Sequence, residues 1–189
     1  MKPWIGAALA GALALGGCQT TADFAAGGAG TRTTVKPPDT TRWASRRADE
    51  RTIVYICRPL ACPEKAGVRV RTGRSPTRTP DPAALEKLAR ETLPSRVEAA
   101  SLTLETDSKG YTKLDVLGTK TTTIRDFPAV TVDVRKTGEG RPMFGRRVYL
   151  FAGNTLIDVY AMSHSRELAH RYADEFIAGF DIDDRPPGS

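Results

Sequence analysis

Near the end of the chain, Leu168, Tyr172, Phe176 and Phe180 recur every fourth residue, flanked by Ala169, Ala173 and Ile177. Side chains at that spacing share one face of an α-helix. A stripe this broad has to be buried against a second layer, and its alanines let that layer come close. Ser163 or Ser165 is placed to cap the first turn, and Gly179 to stop the last. The two runs just before the helix, residues 147–151 and 156–162, alternate with period two instead. Ala152-Gly153-Asn154-Thr155 reads as the hairpin connection between them. Val148 and Leu150 share one side of the first run, Tyr149 and Phe151 the other. Both sides are apolar, which predicts a central strand covered on both faces and packed in the core.

Further strand patterns lie upstream. In residues 52–57, Ile53, Tyr55 and Cys57 share one side, and Val54 and Ile56 the other. Residues 97–106, 111–116, 119–124 and 127–134 follow the same alternation, with a turn expected at Asp107-Ser108-Lys109-Gly110. Residues 58–63 read as a loop fixed by two prolines, 72–80 as a surface loop, and 136–142 as a polar, glycine-rich loop. Asp81-Pro82 starts a helix of about three turns. Leu85, Leu88, Ala89 and Thr92 are its expected buried stripe and Pro94 its expected end. The fold class that follows is α+β: a central antiparallel sheet packed by a short helix and a longer C-terminal helix, in one domain over residues 46–182.

The first residues carry a different signal. Residues 1–17 hold one cation, Lys2, then an apolar run too short to be the usual spanning helix. The closing Leu15-Gly16-Gly17-Cys18 resembles the lipobox of bacterial lipoproteins. That resemblance implies that residues 1–17 are a signal peptide cut before Cys18, whose sulfur is then diacylated. Two or more acyl chains suffice for stable membrane anchoring. Gln19 stands where an aspartate tends to retain lipoproteins in the inner membrane. In a two-membrane bacterium this resembles an outer-membrane destination facing the periplasm. Residues 18–45, with Ala-Ala-Gly-Gly-Ala-Gly at 25–30, read as a lipid-anchored flexible tether. Residues 183–189 read as a disordered tail.

The order strand, short helix, antiparallel strands, long helix is similar to that of the PsbP-like family. The likeness runs over residues 53–180. It rests on the hairpin 147–162 followed directly by 163–180, with Phe127-Pro128-Ala129-Val130 opening the strand before. It implies a central antiparallel sheet between helices. No catalytic or binding motif of the family matches, so the resemblance carries no site.

Charge is unevenly spread. Residues 32–78 hold twelve Lys or Arg against four Asp or Glu, a net of +8, while residues 79–189 hold fifteen against seventeen, a net of −2. Next to a lipid anchor, a basic stretch suits anionic headgroups or lipopolysaccharide phosphates. Arg46, Arg47 and Arg51 are the candidates for that anionic-surface contact. No aromatic-interleaved basic motif points to nucleic acid.

Other chemistry is sparse. Cys57 and Cys62 enclose four residues, and in an exported protein they are expected to form a structural disulfide. Their spacing is not that of a redox or metal motif. His164 and His170 are the only histidines. Six positions apart, they are rotated by roughly 240° on a helix and do not converge on a metal. His170 is expected on a solvated face. Asp126, Asp133 and Asp158 form a carboxylate pair only if two of them meet in a cleft. Gly27, Gly28 and Gly30 follow no strand and make no dinucleotide signature.

The leading functional reading is a non-enzymatic, lipid-anchored cell-envelope protein that binds a periplasmic protein or another envelope component. It requires no cofactor and no metal, and it meets the membrane through its N-terminal lipid. A small periplasmic hydrolase with a site assembled only in three dimensions, and a structural envelope protein, stay open alongside it. The sequence names neither partner nor oligomeric state.

Overall fold

The computed structural model describes residues 22–24, 32–35, 39–75, 80–96 and 110–183. Its centre is a seven-stranded antiparallel sheet. In chain order the strands are β3 (Trp43–Asp49), β4 (Thr52–Cys57), β5 (Ala66–Arg74), β6 (Tyr111–Ile124), β7 (Phe127–Gly138), β8 (Met143–Ala152) and β9 (Thr155–Ser163). They lie side by side in the order β3-β4-β5-β9-β8-β7-β6. Pairing β5 with β9 joins the two halves, with Val68 opposite Ala161 and Val70 opposite Val159. The architecture is α+β, as the helix and strand patterns predict.

Helix α2 (Arg166–Ala178) lies on one face of this sheet. The Ser165 hydroxyl accepts from the Leu168 N–H and caps its first turn. Ala169 and Ala173 are fully buried beside Tyr172, Phe176 and Ile177. The helix meets Val68, Val70, Val148, Leu150, Ile157 and Val159 in one core. At the β3–β4 end of that core, Trp43 packs edge-on against Tyr172 and Phe176, each with centroids 5.2 Å apart, and Tyr55 against Phe176 at 4.8 Å. Such aromatic pairs add roughly 1 kcal/mol each beyond burial. Trp43 is only 3% exposed, so the domain begins before residue 46, the expected boundary.

The opposite face is covered at one end by α1 (Pro82–Lys87) and the π-helical turn Leu88–Thr92 that continues it. Asp81 caps α1 through the Ala84 N–H. Leu85, Ala89 and Leu93 bury against Val130, Val132, Val134 and Phe151. Pro94 does not end this segment: helical backbone runs on through residues 93–96. Proline has no N–H, and its ring presses on the carbonyl four residues back. The wider turn, in which the Leu93 N–H reaches the Leu88 carbonyl, accommodates that ring.

Three other expectations need correcting. Residues 111–116 and 119–124 form one strand, β6, whose register shifts between Val116 and Gly118; that irregularity breaks the alternation and imitates a gap. Residues 72–74, read as loop, belong to β5. The expected tether, residues 18–45, contains β1 (Ala22–Phe24), β2 (Arg32–Val35) and the start of β3. β2 pairs with both β1 and β10 (Phe180–Asp183), so residues 180–183 are strand as well. That pairing uses main-chain groups, which side-chain composition does not report. The expected strand 97–106, most of the turn at 107–110, and residues 184–189 lie outside the described residues, as do residues 1–17, the expected signal peptide, and Cys18.

Candidate anion-binding site

The uncovered part of the α1 face is built by alternation. Along β5, Val68 and Val70 turn toward α2, so Arg69 and Arg71 turn the other way. The same rule puts Asp158 and Tyr160 of β9, and Arg147 and Tyr149 of β8, on that face. Register then aligns them in two rows across the sheet. One row runs Val54, Arg69, Tyr160, Arg147 and Val132; the next runs Thr52, Arg71, Asp158, Tyr149 and Val130. A sheet centre that would ordinarily be apolar is here a checkerboard of guanidinium, phenol and carboxylate.

Arg69, Tyr160, Arg147 and Val132 of the first row, and Arg71, Asp158 and Tyr149 of the second, line a cavity of about 590 Å³. Among the described residues, its walls hold six arginines (51, 69, 71, 74, 96 and 147), Lys136 and one carboxylate, Asp158. Leu114, Val132, Val134 and Leu156 supply the apolar part. Arg147 donates to Asp158 through Nε at 2.7 Å and Nη2 at 2.5 Å. Arg69 stands 3.8 Å from the same carboxylate. The guanidinium of Arg147 lies 4.6 Å from the Tyr149 ring centroid, and that of Arg69 lies 5.5 Å from the Tyr160 ring. No ion pair among the described residues engages the side chains of Arg51, Arg71, Arg74 or Arg96. Asp49 feels the charge of Arg71, but the described lining still holds more cations than carboxylates, a balance that attracts anions.

Burial pushes the Tyr160 phenol up to about 12, and burial likewise raises Tyr149. Desolvation works against the Arg147 cation, but the hydrogen bonds to Asp158 and the charge of that carboxylate together outweigh it and hold Arg147 protonated. The lining thus offers fixed cations, protonated phenols and a carboxylate already engaged twice. None of these is a free base or an activated nucleophile. The arrangement is suited to holding an anion rather than to acid–base chemistry.

The predicted basic residues do not act as one patch. Arg46 pairs opposite Val54 and shares the cavity face, whereas Arg47 pairs opposite Ile53 and projects from the other. Arg51, in the turn after β3, lines the cavity. Cys57 and Cys62 are disulfide-bonded, with Cα atoms 6.2 Å apart. The histidines lie elsewhere. His164 Nδ1 is 2.9 Å from the Pro142 carbonyl. His170 is not merely solvated: it sits between Arg146 at 2.9 Å and Asp133 at 3.0 Å, linking α2 to the sheet. Asp133 and Asp158 point to opposite faces and make no carboxylate pair. Tyr149, expected in the core, faces the cavity, while Val148, Leu150 and Phe151 are buried as expected.

Arg69, Arg71 and Arg74 escaped sequence reasoning. The signal for Arg69 and Arg71 was the Val-Arg-Val-Arg alternation at 68–71, a half-buried strand with a cationic outer face; Arg74 falls outside that pattern.

No protein-family model matches the sequence, and no curated protein matches it significantly. Among solved structures, the chain is similar to a Bacteroides thetaiotaomicron VPI-5482 protein, with a TM-score of 0.50 at 12% identity. That match covers 83% of this chain and 46% of the other, so the chain spans about half the length of that relative. Structural neighbours also include cyanobacterial PsbP (CyanoP) from Synechocystis sp. PCC 6803, at 14% identity, TM-score 0.47, and 83% and 95% of the two chains. LpqN of Mycobacterium tuberculosis, described as involved in cell envelope biogenesis, matches at 12% identity, TM-score 0.45, and 82% and 86% coverage. At these identities the likeness to the Bacteroides protein concerns the fold alone. No helix among the described residues is long and apolar enough to cross a membrane.

Proposed function

We propose that this chain is a non-enzymatic, lipid-anchored envelope protein of PsbP-like fold, and that it works by binding an anionic envelope component in the arginine-lined cavity. The observation that carries this reading is the cavity itself, where among the described residues six arginines share the lining with one carboxylate. Arginine's planar fork suits phosphate and carboxylate oxygens, and its charge does not titrate in the working range. The lipobox-like Leu15-Gly16-Gly17-Cys18 supports attachment to a membrane outside the cytosol, and Gln19 supports an outer-membrane location in a two-membrane cell. Arg46 and Arg51 extend the basic surface toward the edge of the sheet.

Two measurements test this. Cys18→Ser should abolish acyl labelling and release the protein from membranes; retained labelling overturns the anchor. In that unlipidated full-length background, calorimetric titration with pyrophosphate should show saturable binding. Arg71→Glu and Arg74→Glu should weaken it at least ten-fold, while Arg171→Gln on α2, beyond the opposite face, should not. Equal binding by all three variants removes the cavity from the function.

A further inference from the structure

The cavity is two-sided, and this side-to-side order restricts its ligand further than charge alone. β5 and the β3–β4 turn bring Arg51, Arg69, Arg71 and Arg74 to one side. Three and four strands away, β7 and β6 bring Leu114, Val132 and Val134 to the other, with Lys136 opposite Leu114. Between them, the rings of Tyr149 and Tyr160 stack against guanidinium groups and present a surface that is polar at one end and apolar at the other. A small inorganic anion would satisfy the arginine side and leave the half-buried Leu114 and Leu156 uncovered beside the buried Val132 and Val134. A neutral apolar molecule would desolvate several arginines without compensation. A volume of about 590 Å³ is in the range of sites that enclose a whole small molecule.

Resting on the anion-binding reading above, we infer that the ligand is an amphiphile: a phosphate head held among Arg51, Arg71 and Arg74, and an apolar chain laid along Leu114, Val132 and Val134. A phosphate ester carries up to two negative charges and three terminal oxygens, so it engages several guanidinium forks at once. A carboxylate offers one charge and two oxygens and leaves more of the arginine cluster unanswered. The head binds on the β5 side and the chain runs across the sheet, perpendicular to the strands.

The test uses the full-length chain carrying Cys18→Ser, titrated calorimetrically with dodecyl phosphate below its micellar concentration, inorganic phosphate and dodecanoate. The expected result is one dodecyl phosphate per chain, at least ten-fold tighter than either of the other two. Arg71→Gln should weaken dodecyl phosphate at least ten-fold. Leu114→Gln should bring dodecyl phosphate to within about three-fold of inorganic phosphate. Circular dichroism on each variant separates a lost site from a lost fold, and Arg171→Gln serves as the opposite-face control. Equal affinity for phosphate and dodecyl phosphate overturns the amphiphile while leaving the anion site standing. Equal affinity for dodecanoate overturns the phosphate head. Binding of none of them, pyrophosphate included, overturns the anion-binding reading itself.

Discussion

Arg147 on β8 reaches diagonally across to Asp158 on β9 and holds both oxygens of its carboxylate, at 2.7 and 2.5 Å. Asp158 is only 5% exposed and, among the described residues, is the one acidic group in the cavity wall. It therefore does two things at once: it fixes the Arg147 guanidinium between two tyrosine rings, and it lowers the cavity's charge by one. Asp158→Ala should separate these effects. Leaving Arg147 without its partner should cost about 2 kcal/mol, less than for a fully buried pair because Arg147 keeps some solvent contact. The same change should raise pyrophosphate affinity. Urea unfolding reads the first and calorimetry the second; weaker anion binding in a folded variant would show that Asp158 orients the site rather than merely neutralising it.

Gly145 holds the Tyr160 ring in place by being absent from its path. A Cβ at this position would fall 2.6 Å from Tyr160 Cε2 and 2.9 Å from Val134 Cγ2. Because both neighbours face the cavity side, Gly145→Ala should cost roughly 1–3 kcal/mol and displace Tyr160 from its stack. A thermal melt would detect the loss, and a change in tyrosine fluorescence would locate it. An unchanged melting temperature would mean that the ring moves without cost.

Burial holds the phenols of Tyr55 and Tyr160 up at about 12. Below pH 10 they are protonated in both the folded and unfolded chain. Between about 10 and 12 the unfolded chain releases protons that the folded one retains. Stability should thus fall as pH rises through that window and level off above it. The Tyr55 hydroxyl also has no hydrogen-bond partner among the described residues. Tyr55→Phe should therefore keep or raise stability at neutral pH, by up to about 1 kcal/mol, and flatten the alkaline loss. Denaturant midpoints from pH 8 to 12 check both; a marked loss of stability at neutral pH would reveal a partner for that hydroxyl.

The turn joining β6 to β7 places Arg125 and Asp126 at φ of 50° and 67°. Positive φ at both central positions suits a tight hairpin but strains a side-chain-bearing residue. Arg125 gains a compensating bond from its guanidinium to the Phe180 carbonyl. Asp126→Gly should accordingly stabilise the domain by about 0.5–1 kcal/mol, seen as a higher melting temperature. Arg125→Gly should gain less, because it also deletes the link to Phe180.

How much of this was readable beforehand follows the range of the interactions. Leu168, Tyr172, Phe176 and Phe180 declare α2 through local spacing, and Gly153 with Asn154 declares the last hairpin. Both signals lie within a few residues of one another. The cavity depends on β5 lying beside β9, a pairing between segments some ninety positions apart, by the Val68–Ala161 match. No local pattern fixes that. The basic excess of residues 32–78 was visible, but not its division: Arg51, Arg69, Arg71 and Arg74 belong to the cavity, and Arg47 to the other face. Pro94 misled because a wider helical turn absorbs it, and residues 32–35 because backbone pairing asks little of side chains.

That last pairing has a practical bearing. Arg32–Val35 lies alongside Phe180–Asp183, so the first and last stretches of the domain share one fate. A reporter fused after residue 183 therefore stands beside Arg32. A truncation at Gly179 removes both a buried aromatic ring, Phe180, and the strand that Arg32–Val35 pairs with.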